Sequence, residues 1–299
     1  MNAAAASQGA EGPIITVATT DDGFDPPREA LVAAAEAGKV LVFPAFGFVL
    51  QPDEPLLLDP ALAEPGRKNI SLDPDDAVLR GVLGDSATQA AMHGLIARYF
   101  QAARGLVARL FPEYTGALRP APTSLRLQRV ETRKTSWRKD DSRLHVDAFP
   151  SRPVYGERIL RVFLNIHPAG MPRVWRVGEP FETVAAHFLP RIKPQWPGKA
   201  ALLAALKITK RRRSDYDHYM LQLHDAMKSD AGYQRDCDQR TVAFPGGTAW
   251  VCFSDQTSHA AMSGQFMLEQ TFFLPAAGMV HPDLAPLQVL QRRLGRMLV

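Results

Sequence analysis

The chain has 299 residues, of which 46% are hydrophobic and 22% are charged, and its formal net charge is +4. This composition is typical of a globular protein, and it excludes a largely disordered, low-complexity or collagen-like chain. Two cysteines without a Cys-x-x-Cys motif favour a reducing compartment and argue against a cysteine-ligated zinc or iron–sulfur site.

The first half of the chain predicts a tail followed by an α/β flank. Residues 1–13 lack periodicity and predict a disordered tail, and residues 14–120 predict the flank. The elements expected in the flank are a helix between Pro27 and Gly38, a buried strand at 39–43 and a long amphipathic helix at 87–111. Neither a signal sequence nor an apolar segment of about 20 residues is apparent, so we expect a cytoplasmic protein that does not span a membrane.

The second half of the chain predicts strands on both sides of a helical insert. The expected strands lie at 124–131, 144–149, 158–166, 172–177, 241–244, 248–253 and 266–274. The expected helices lie at 181–188, 199–208 and 216–227, inside an insert of about 180–230, and at 287–298, within a C-terminal segment of about 286–298. The two strand blocks, about 124–178 and 240–275, indicate one β-sandwich or small barrel whose halves meet across the insert.

His145 and Asp147 are the strongest candidates for a metal site. In Leu144-His145-Val146-Asp147 apolar and polar residues alternate, which places the imidazole and the carboxylate on one face of a strand. His259, in a polar turn 112 residues after Asp147, is the leading candidate for a third ligand. Two histidines and one carboxylate on one face of Fe(II) leave three positions open for dioxygen and a chelating cosubstrate. The alternative is a hydrogen-bonded surface pair at His145 and Asp147, with His259 in a structural role.

Positive charge is concentrated in the middle of the chain. Between residues 1 and 60, nine acidic residues face only Arg28 and Lys39, whereas 126–143 and 207–213 are rich in Arg and Lys. These basic clusters predict an anionic partner, although a solvated helix end accounts equally well for a single basic run. No feature of the sequence fixes the oligomeric state.

Three segments, in order along the chain, resemble the Fe(II)- and 2-oxoglutarate-dependent dioxygenases, and among them the Kdo 3-hydroxylases. Those enzymes hydroxylate the third carbon of 3-deoxy-manno-octulosonic acid (Kdo) in the inner core of lipopolysaccharide. The segments are His145-Val146-Asp147-Ala148-Phe149-Pro150-Ser151-Arg152-Pro153, Arg161-Val162-Phe163-Leu164-Asn165-Ile166-His167-Pro168 and Ser254-Asp255-Gln256-Thr257-Ser258-His259. The resemblance extends from about Ser124 to Pro275.

The resemblance implies a fold, a metal and a cosubstrate. The implied fold is α+β, a double-stranded β-helix (a jelly-roll, cupin-like barrel) flanked by N-terminal, inserted and C-terminal helices, in a single catalytic domain of residues 14–299. His145, Asp147 and His259 would bind Fe(II). The cosubstrate would be 2-oxoglutarate, which is converted to succinate and carbon dioxide while dioxygen oxidises the sugar.

The residues available to bind 2-oxoglutarate depart from the common pattern. Superfamily members commonly hold its far carboxylate with Arg or Lys ten or eleven residues after the last histidine, but Glu269 and Gln270 occupy those positions. Arg161, on the next long strand after Asp147, is the first candidate because its planar guanidinium can bind a carboxylate bidentately. Arg126 is the second, because an arginine that points into a barrel needs an anion. Gln270 is a lesser, hydrogen-bonding candidate.

The implied substrate, Kdo-lipid A, accounts for the basic clusters, because Kdo carries carboxylates and lipid A carries phosphates. The residues expected to contact this anionic glycolipid are Arg133, Lys134, Arg138, Lys139, Arg152 and the 207–213 cluster. At about 1 kcal/mol per basic residue, this predicts peripheral contact with the anionic cytoplasmic face of the inner membrane. The predicted helix at 287–298 either lies on the bilayer or packs on the barrel.

Two other classes of protein fit parts of the sequence. A zinc-dependent hydrolase would use the same three ligands. A nucleic-acid-binding protein would be built around Lys207–Arg213, but that run is short and no zinc-finger or RNP-type motif accompanies it, so we expect no nucleic acid.

Overall fold

The structure is a computed structural model that describes residues 12–21, 23–132 and 135–299. The predicted tail at 1–13 lies outside the described residues except for Gly12 and Pro13, and Arg133 and Lys134 also lie outside them. Within the described part of the chain, no helix combines the length and the apolar character needed to cross a membrane.

The described residues form fourteen strands and seven α-helices. The strands are β1 (Ile14–Thr16), β2 (Ala18–Thr20), β3 (Gly23–Asp25), β4 (Val40–Phe43), β5 (Ile70–Leu72), β6 (Leu79–Arg80), β7 (Arg119–Pro120), β8 (Thr123–Arg126), β9 (Arg158–Asn165), β10 (Arg173–Gly178), β11 (Gln239–Phe244), β12 (Ala249–Phe253), β13 (His259–Ser263) and β14 (Met267–Leu274). The helices are α1 (Arg28–Glu36), α2 (Ser86–Leu110), α3 (Phe181–Phe188), α4 (Lys199–Ala205), α5 (Asp215–Ser229), α6 (Ala231–Asp236) and α7 (Pro286–Leu294).

Most of the strands join one large sheet. Its order is β1-β4-β12-β9-β14-β8-β5-β6, with β7 also paired to β14. Only the β1–β4 pair is parallel among the described pairs of this sheet. A second sheet has the order β11-β10-β13, and β2 and β3 form a separate hairpin.

One face of the large sheet packs against helices α1 and α2. Asp85 caps α2 by accepting a hydrogen bond from the Thr88 amide at 2.8 Å, and Pro112 follows the last turn. Apolar residues at helical spacing on α2 pack on apolar residues at alternate positions of β9 and β14. The residues that share this core include Leu95, Ile96, Tyr99, Leu160, Val162, Leu164 and Leu268.

The other face of the large sheet packs against the second sheet. The Trp175 ring on β10 lies 5.0 Å from the Phe163 ring on β9 and 5.4 Å from the Trp250 ring on β12, measured between centroids. Phe244 on β11 stacks on Trp250 at 4.2 Å. Two sheets therefore enclose an aromatic core, and side chains near that core are screened from water.

The helical insert and the C-terminal helix cover the outer side of the second sheet. Leu223 and Met227 on α5 and Leu290 on α7 share one buried cluster with Leu144 and Val146. The C-terminal helix thus packs on the fold through its leucines. Its charged side, with Arg292 and Arg293, faces solvent.

Most of the predicted elements are confirmed within a few residues, and the fold combines flanking helices with packed sheets as expected. Two predictions near the site differ. Residues 144–149 form no regular strand, only a single antiparallel bridge between His145 and His259. His259 begins strand β13 rather than lying in a turn. The sequence His-Ala-Ala-Met-Ser has little strand propensity, so pairing with β10 imposes the extended conformation.

Candidate metal centre

Apolar and polar side chains at 144–147 point to opposite sides, as predicted, although the segment is not a regular strand. Leu144 and Val146 are fully buried in the cluster formed with the insert helices. His145 and Asp147 consequently face the opposite way, toward the space between the sheets. The Asp147 amide donates to the Ser254 carbonyl at 2.8 Å, which fixes the end of the segment.

His259 is held directly beside His145. The two residues exchange backbone hydrogen bonds of 3.0 and 2.9 Å, and their rings lie 4.6 Å apart. The Trp175 ring also stacks on the His259 ring, at 4.9 Å between centroids. Gly178 permits this approach, because a Cβ there would lie 2.8 Å from the Ser258 hydroxyl.

The three side chains fit a divalent metal ion. One potential ligand atom from each of His145, Asp147 and His259 lies within 4.8 Å of the other two. The Nδ1 atoms of His145 and His259 lie 2.7 and 2.8 Å from the carbonyl oxygens of Arg143 and Thr257, so each Nδ1 carries the proton. Each Nε2 therefore presents its lone pair, as in metal-ligating histidines whose other nitrogen donates to a carbonyl.

The charges of these groups suit metal binding at neutral pH. Burial and repulsion from His259 and Lys228 hold the pKa of His145 well below 6.5. Burial also lowers the pKa of His259. Burial by itself would raise the pKa of Asp147, but Arg161 and the other polar groups around the carboxylate together outweigh burial and keep the pKa below its usual range. The site therefore offers two neutral imidazoles and one carboxylate.

Both candidate arginines lie next to the metal donors and are joined by Glu269. Arg161 contacts Asp147 Oδ2 and Glu269 Oε1, each at 3.1 Å. Arg126 contacts Glu269 Oε2 at 2.5 Å and Asp141 at 3.7 Å. All of these side chains except Asp141 are at least 86% buried. Glu269, noted in the sequence only as a departure from the usual pattern, is thus the bridge between the two arginines.

Gln270 is not brought to this cluster. It follows Glu269 on β14, so its side chain points to the opposite face of the sheet. There its amide accepts a hydrogen bond from the Thr123 hydroxyl and donates to the carbonyls of Ala121 at 3.0 Å and Thr271 at 2.7 Å. Its polar atoms are fully used within the protein.

Several buried donors near the inner face have no partner among the described residues. They are Nε of Arg126, Nε of Arg161 and Nε1 of both Trp175 and Trp250. Buried donors without partners are costly unless a ligand or water accepts from them. The space between the sheets is therefore suited to a polar, acceptor-rich molecule.

The sequence did not reveal two further neighbours of the metal donors. His224 on α5 lies with its ring 5.4 Å from the ring of His145. Lys228, one turn later, is 1% exposed. In the sequence both are isolated residues at or just beyond the end of a predicted helix, and only the docking of that helix brings them to the site.

A buried His-x-Asp and a distant His between two packed sheets form a three-ligand candidate site of the kind found in metal-dependent enzymes. Residues 20–297 match the protein family described as 3-deoxy-D-manno-oct-2-ulosonic acid (Kdo) hydroxylase. The chain belongs to the Kdo hydroxylase family, and the resemblance stated from the sequence is confirmed.

Solved structures of the Kdo hydroxylase KdoO are similar over nearly the whole length. KdoO is a non-heme Fe(II) alphaketoglutarate dependent dioxygenase. Its cobalt(II) complex is 46% identical, with a TM-score of 0.92, and the match covers 96% of this chain and 98% of that one. The complex with alphaketoglutarate and Fe(III) is 44% identical and the complex with succinate and Fe(III) is 45% identical, both with a TM-score of 0.91 and the same coverage. No curated protein matches the sequence.

Proposed function

We propose that this chain is an Fe(II)- and 2-oxoglutarate-dependent dioxygenase that hydroxylates the third carbon of a Kdo sugar in Kdo-lipid A. The observation that carries the proposal is the convergence of His145, Asp147 and His259, with both imidazole Nε2 atoms free. Family membership and the 46% identity to KdoO support the same metal and cosubstrate. Neither supports the alternatives of a zinc hydrolase or a nucleic-acid-binding protein.

When bound, ferrous ion with 2-oxoglutarate and dioxygen supplies the oxidising power, and the products are succinate, carbon dioxide and the hydroxylated sugar. The protein's own residues hold and orient these groups. His145, Asp147 and His259 would bind the ion, and Arg161 with Arg126 would bind the far carboxylate of 2-oxoglutarate. The unpaired Nε atoms of both arginines support this assignment. The aromatic core between the sheets keeps water from the reacting atoms.

We infer that the two packed sheets form a double-stranded β-helix within one catalytic domain of residues 14–299. The ligands lie between the sheets, as that architecture requires. Helices α1 and α2 share their buried core with strands β9, β12 and β14, which supports one folding unit.

The insert carries a surface suited to an anionic membrane, which we call the insert surface. Trp196, Leu202, Leu206 and Ile208 expose 55%, 49%, 60% and 55% of their area. Lys207, Lys210, Arg211 and Arg212 lie among or beside them and are exposed too. Exposed aromatic and aliphatic residues mixed with cations are typical of interfacial anchors.

The insert surface is tied to the segment that follows the ligand Asp147. The Lys210 amide donates to the Ser151 carbonyl at 2.9 Å, and Arg213 donates to the Pro150 carbonyl at 2.6 Å. A glycolipid presented by the cytoplasmic face of the inner membrane would then meet the enzyme near its metal site. We expect Leu206→Glu with Ile208→Glu to weaken binding to phosphatidylglycerol vesicles, whereas Met171→Glu, another exposed apolar position, leaves it unchanged.

The test of the activity is direct. Purified protein is incubated with Kdo-lipid A, Fe(II), 2-oxoglutarate and air, and the core sugars are analysed by mass spectrometry. We expect a gain of one oxygen atom on Kdo, with one succinate formed per hydroxylation and none under nitrogen. Metal-dependent cleavage of the substrate under nitrogen would instead establish a hydrolase.

A further inference from the structure

Lys228, near the end of α5, is a buried cation that forms no direct ion pair with a described residue. Only 1% of it is exposed, and no carboxylate among the described residues lies within 4 Å of its ammonium. In that part of the chain the ammonium makes one hydrogen bond, from Nζ to the Arg138 carbonyl at 3.1 Å. The nearby end of the helix dipole offsets only part of the cost of burying a charge.

The part of α5 that carries Lys228 is held against the segment with His145 and Asp147. His224, one helical turn earlier and so on the same side of α5, has its ring 5.4 Å from the ring of His145. The Lys228 carbonyl accepts a hydrogen bond from Arg143 at 2.8 Å, and the Arg143 carbonyl accepts one from His145 Nδ1 at 2.7 Å. The last turn of α5 is thus tied to the segment that carries two of the ligands.

Among the described residues, the ion-paired charges around the site balance without Lys228. The network at the inner face contains the three cations Lys68, Arg126 and Arg161 and the three carboxylates Asp141, Asp147 and Glu269. Two further ion pairs near α5 are Arg138–Asp225 at 3.1 Å and Arg143–Asp140 at 3.2 Å. The positive charges of a ferrous ion and the negative charges of doubly charged 2-oxoglutarate would also cancel each other. Within the described part of the chain, the charge of Lys228 is then available for a singly charged ligand.

We propose that Lys228 binds the carboxylate of the Kdo unit that is hydroxylated. This inference rests on the proposed function and adds the residue that recognises the substrate. In a 3-deoxy-oct-2-ulosonic acid, carbon 1 is the carboxylate and carbon 3 is the carbon to be oxidised, so the two are separated by two bonds. An anchor for that carboxylate must therefore lie close to the metal, and the end of α5 that carries Lys228 is tied through Arg143 to the His145 segment.

Two features favour the sugar's carboxylate over that of 2-oxoglutarate. Arg126 and Arg161, on strands β8 and β9 of the large sheet, already offer unpaired guanidinium nitrogens for the cosubstrate. Lys228 belongs to the insert, which also carries the insert surface. In addition, burial lowers the pKa of Lys228 although several carboxylates nearby raise it, and a bound carboxylate would raise it further. The burial of Lys228 is consistent with a role in the site, because His145 and His259 are also only 5% exposed.

The test compares a Kdo glycoside with its uncharged methyl ester as substrates. For the wild type, kcat/KM should be about 30-fold higher for the acid than for the ester, the size of a charge-assisted hydrogen bond. In Lys228→Met the preference should fall to near one. The KM for 2-oxoglutarate and the affinity for Co(II), followed by absorption, should stay unchanged. Lys193→Met, at an exposed lysine of the same insert, should keep the wild-type preference.

Other outcomes overturn the proposal. A Lys228→Met enzyme that still prefers the acid about 30-fold shows that another group binds the sugar's carboxylate. A selective rise in the KM for 2-oxoglutarate shows that Lys228 binds the cosubstrate instead. Lys228→Gln provides the same comparison should the methionine variant not fold. A wild-type enzyme that oxidises neither glycoside nor Kdo-lipid A overturns the proposed function itself.

Discussion

The two faces of strands β9 and β14 have opposite compositions. Toward α2, Leu160, Val162 and Leu164 alternate along β9 and pack in a mostly apolar core. Toward the second sheet, Arg161 on β9 and Glu269 on β14 form an ion pair beside the metal donors. The same backbone therefore supports a dry core on one side and a charged chamber on the other.

This difference shows how the fold separates stability from activity. Apolar burial on the helix side stabilises the sheet in proportion to the area removed from water. The inner side instead buries charges, which are costly unless paired, and it pairs them with one another. Substitutions on the two faces should consequently change different measured quantities.

The largest effect is expected at the metal ligands on the inner side. Asp147→Ala or His145→Ala removes one of three donors, and we expect turnover to fall more than about 100-fold, beyond the loss typical of outer-shell changes. Co(II) titration followed by absorption should show the same loss of affinity. Normal activity in Asp147→Ala would remove the metal assignment.

On the helix side, Leu268→Ala should act on stability alone. The side chain is fully buried against α2, so its truncation should lower the free energy of unfolding by about 2–5 kcal/mol. Urea denaturation measures the loss, and the KM for 2-oxoglutarate should not change. A raised KM in this variant would show that the two faces are not independent.

The next effect concerns the arginine proposed to bind the cosubstrate. Arg161→Ala should raise the KM for 2-oxoglutarate about 30-fold, equivalent to about 2 kcal/mol of charge-assisted hydrogen bonding. Arg126→Ala is the matched comparison, since both arginines contact Glu269. If Arg161→Ala leaves the cosubstrate requirement unchanged and Arg126→Ala raises it, the anchor is Arg126.

The smallest effect is a pH dependence at Glu269. Burial would raise its pKa, but Arg126 and Arg161 outweigh burial and hold the pKa below 4.5. A carboxyl whose folded-state pKa is lowered stabilises the protein above its unfolded value, and this stabilisation is lost as the pH falls through the folded-state pKa.

We therefore expect Glu269→Gln to be less stable than the wild type by about 1.5 kcal/mol at pH 7, with the difference shrinking below pH 4.5. Denaturation in the presence of a chelator measures this without a contribution from bound metal. Glu64→Gln, which removes a partly exposed partner of Arg67, serves as the control. A difference that grows on acidification would contradict the pairing.

The sequence predicted the elements whose pattern is local. The long helix, expected at 87–111, forms α2 at Ser86–Leu110 because its apolar residues repeat every 3.6 positions and Pro112 follows it. Strand β9 was expected at 158–166 and spans Arg158–Asn165. Strand β13 was missed because its residues have little strand propensity and are extended by pairing with β10.

The same contrast between local patterns and long-range pairing applies to the site. His145 and Asp147 were recognised because two positions of one short segment place both groups on one side. The bridge through Glu269, the satisfied amide of Gln270 and the approach of Lys228 depend on which strands and helices become neighbours. Pairs such as Arg126 and Glu269 are 143 residues apart, and no local pattern connects them.

By itself, the sequence determined the family, the three metal-binding candidates and most helices and strands, since these follow from short motifs and from hydrophobic periodicity. Only the tertiary structure decided the partners of each charge. Pairing β8, β9 and β14 brings Arg126, Arg161 and Glu269 together, and docking α5 ties its last turn, with Lys228, to the segment of His145. Such contacts arise from long-range packing, which acts between residues that are distant along the chain.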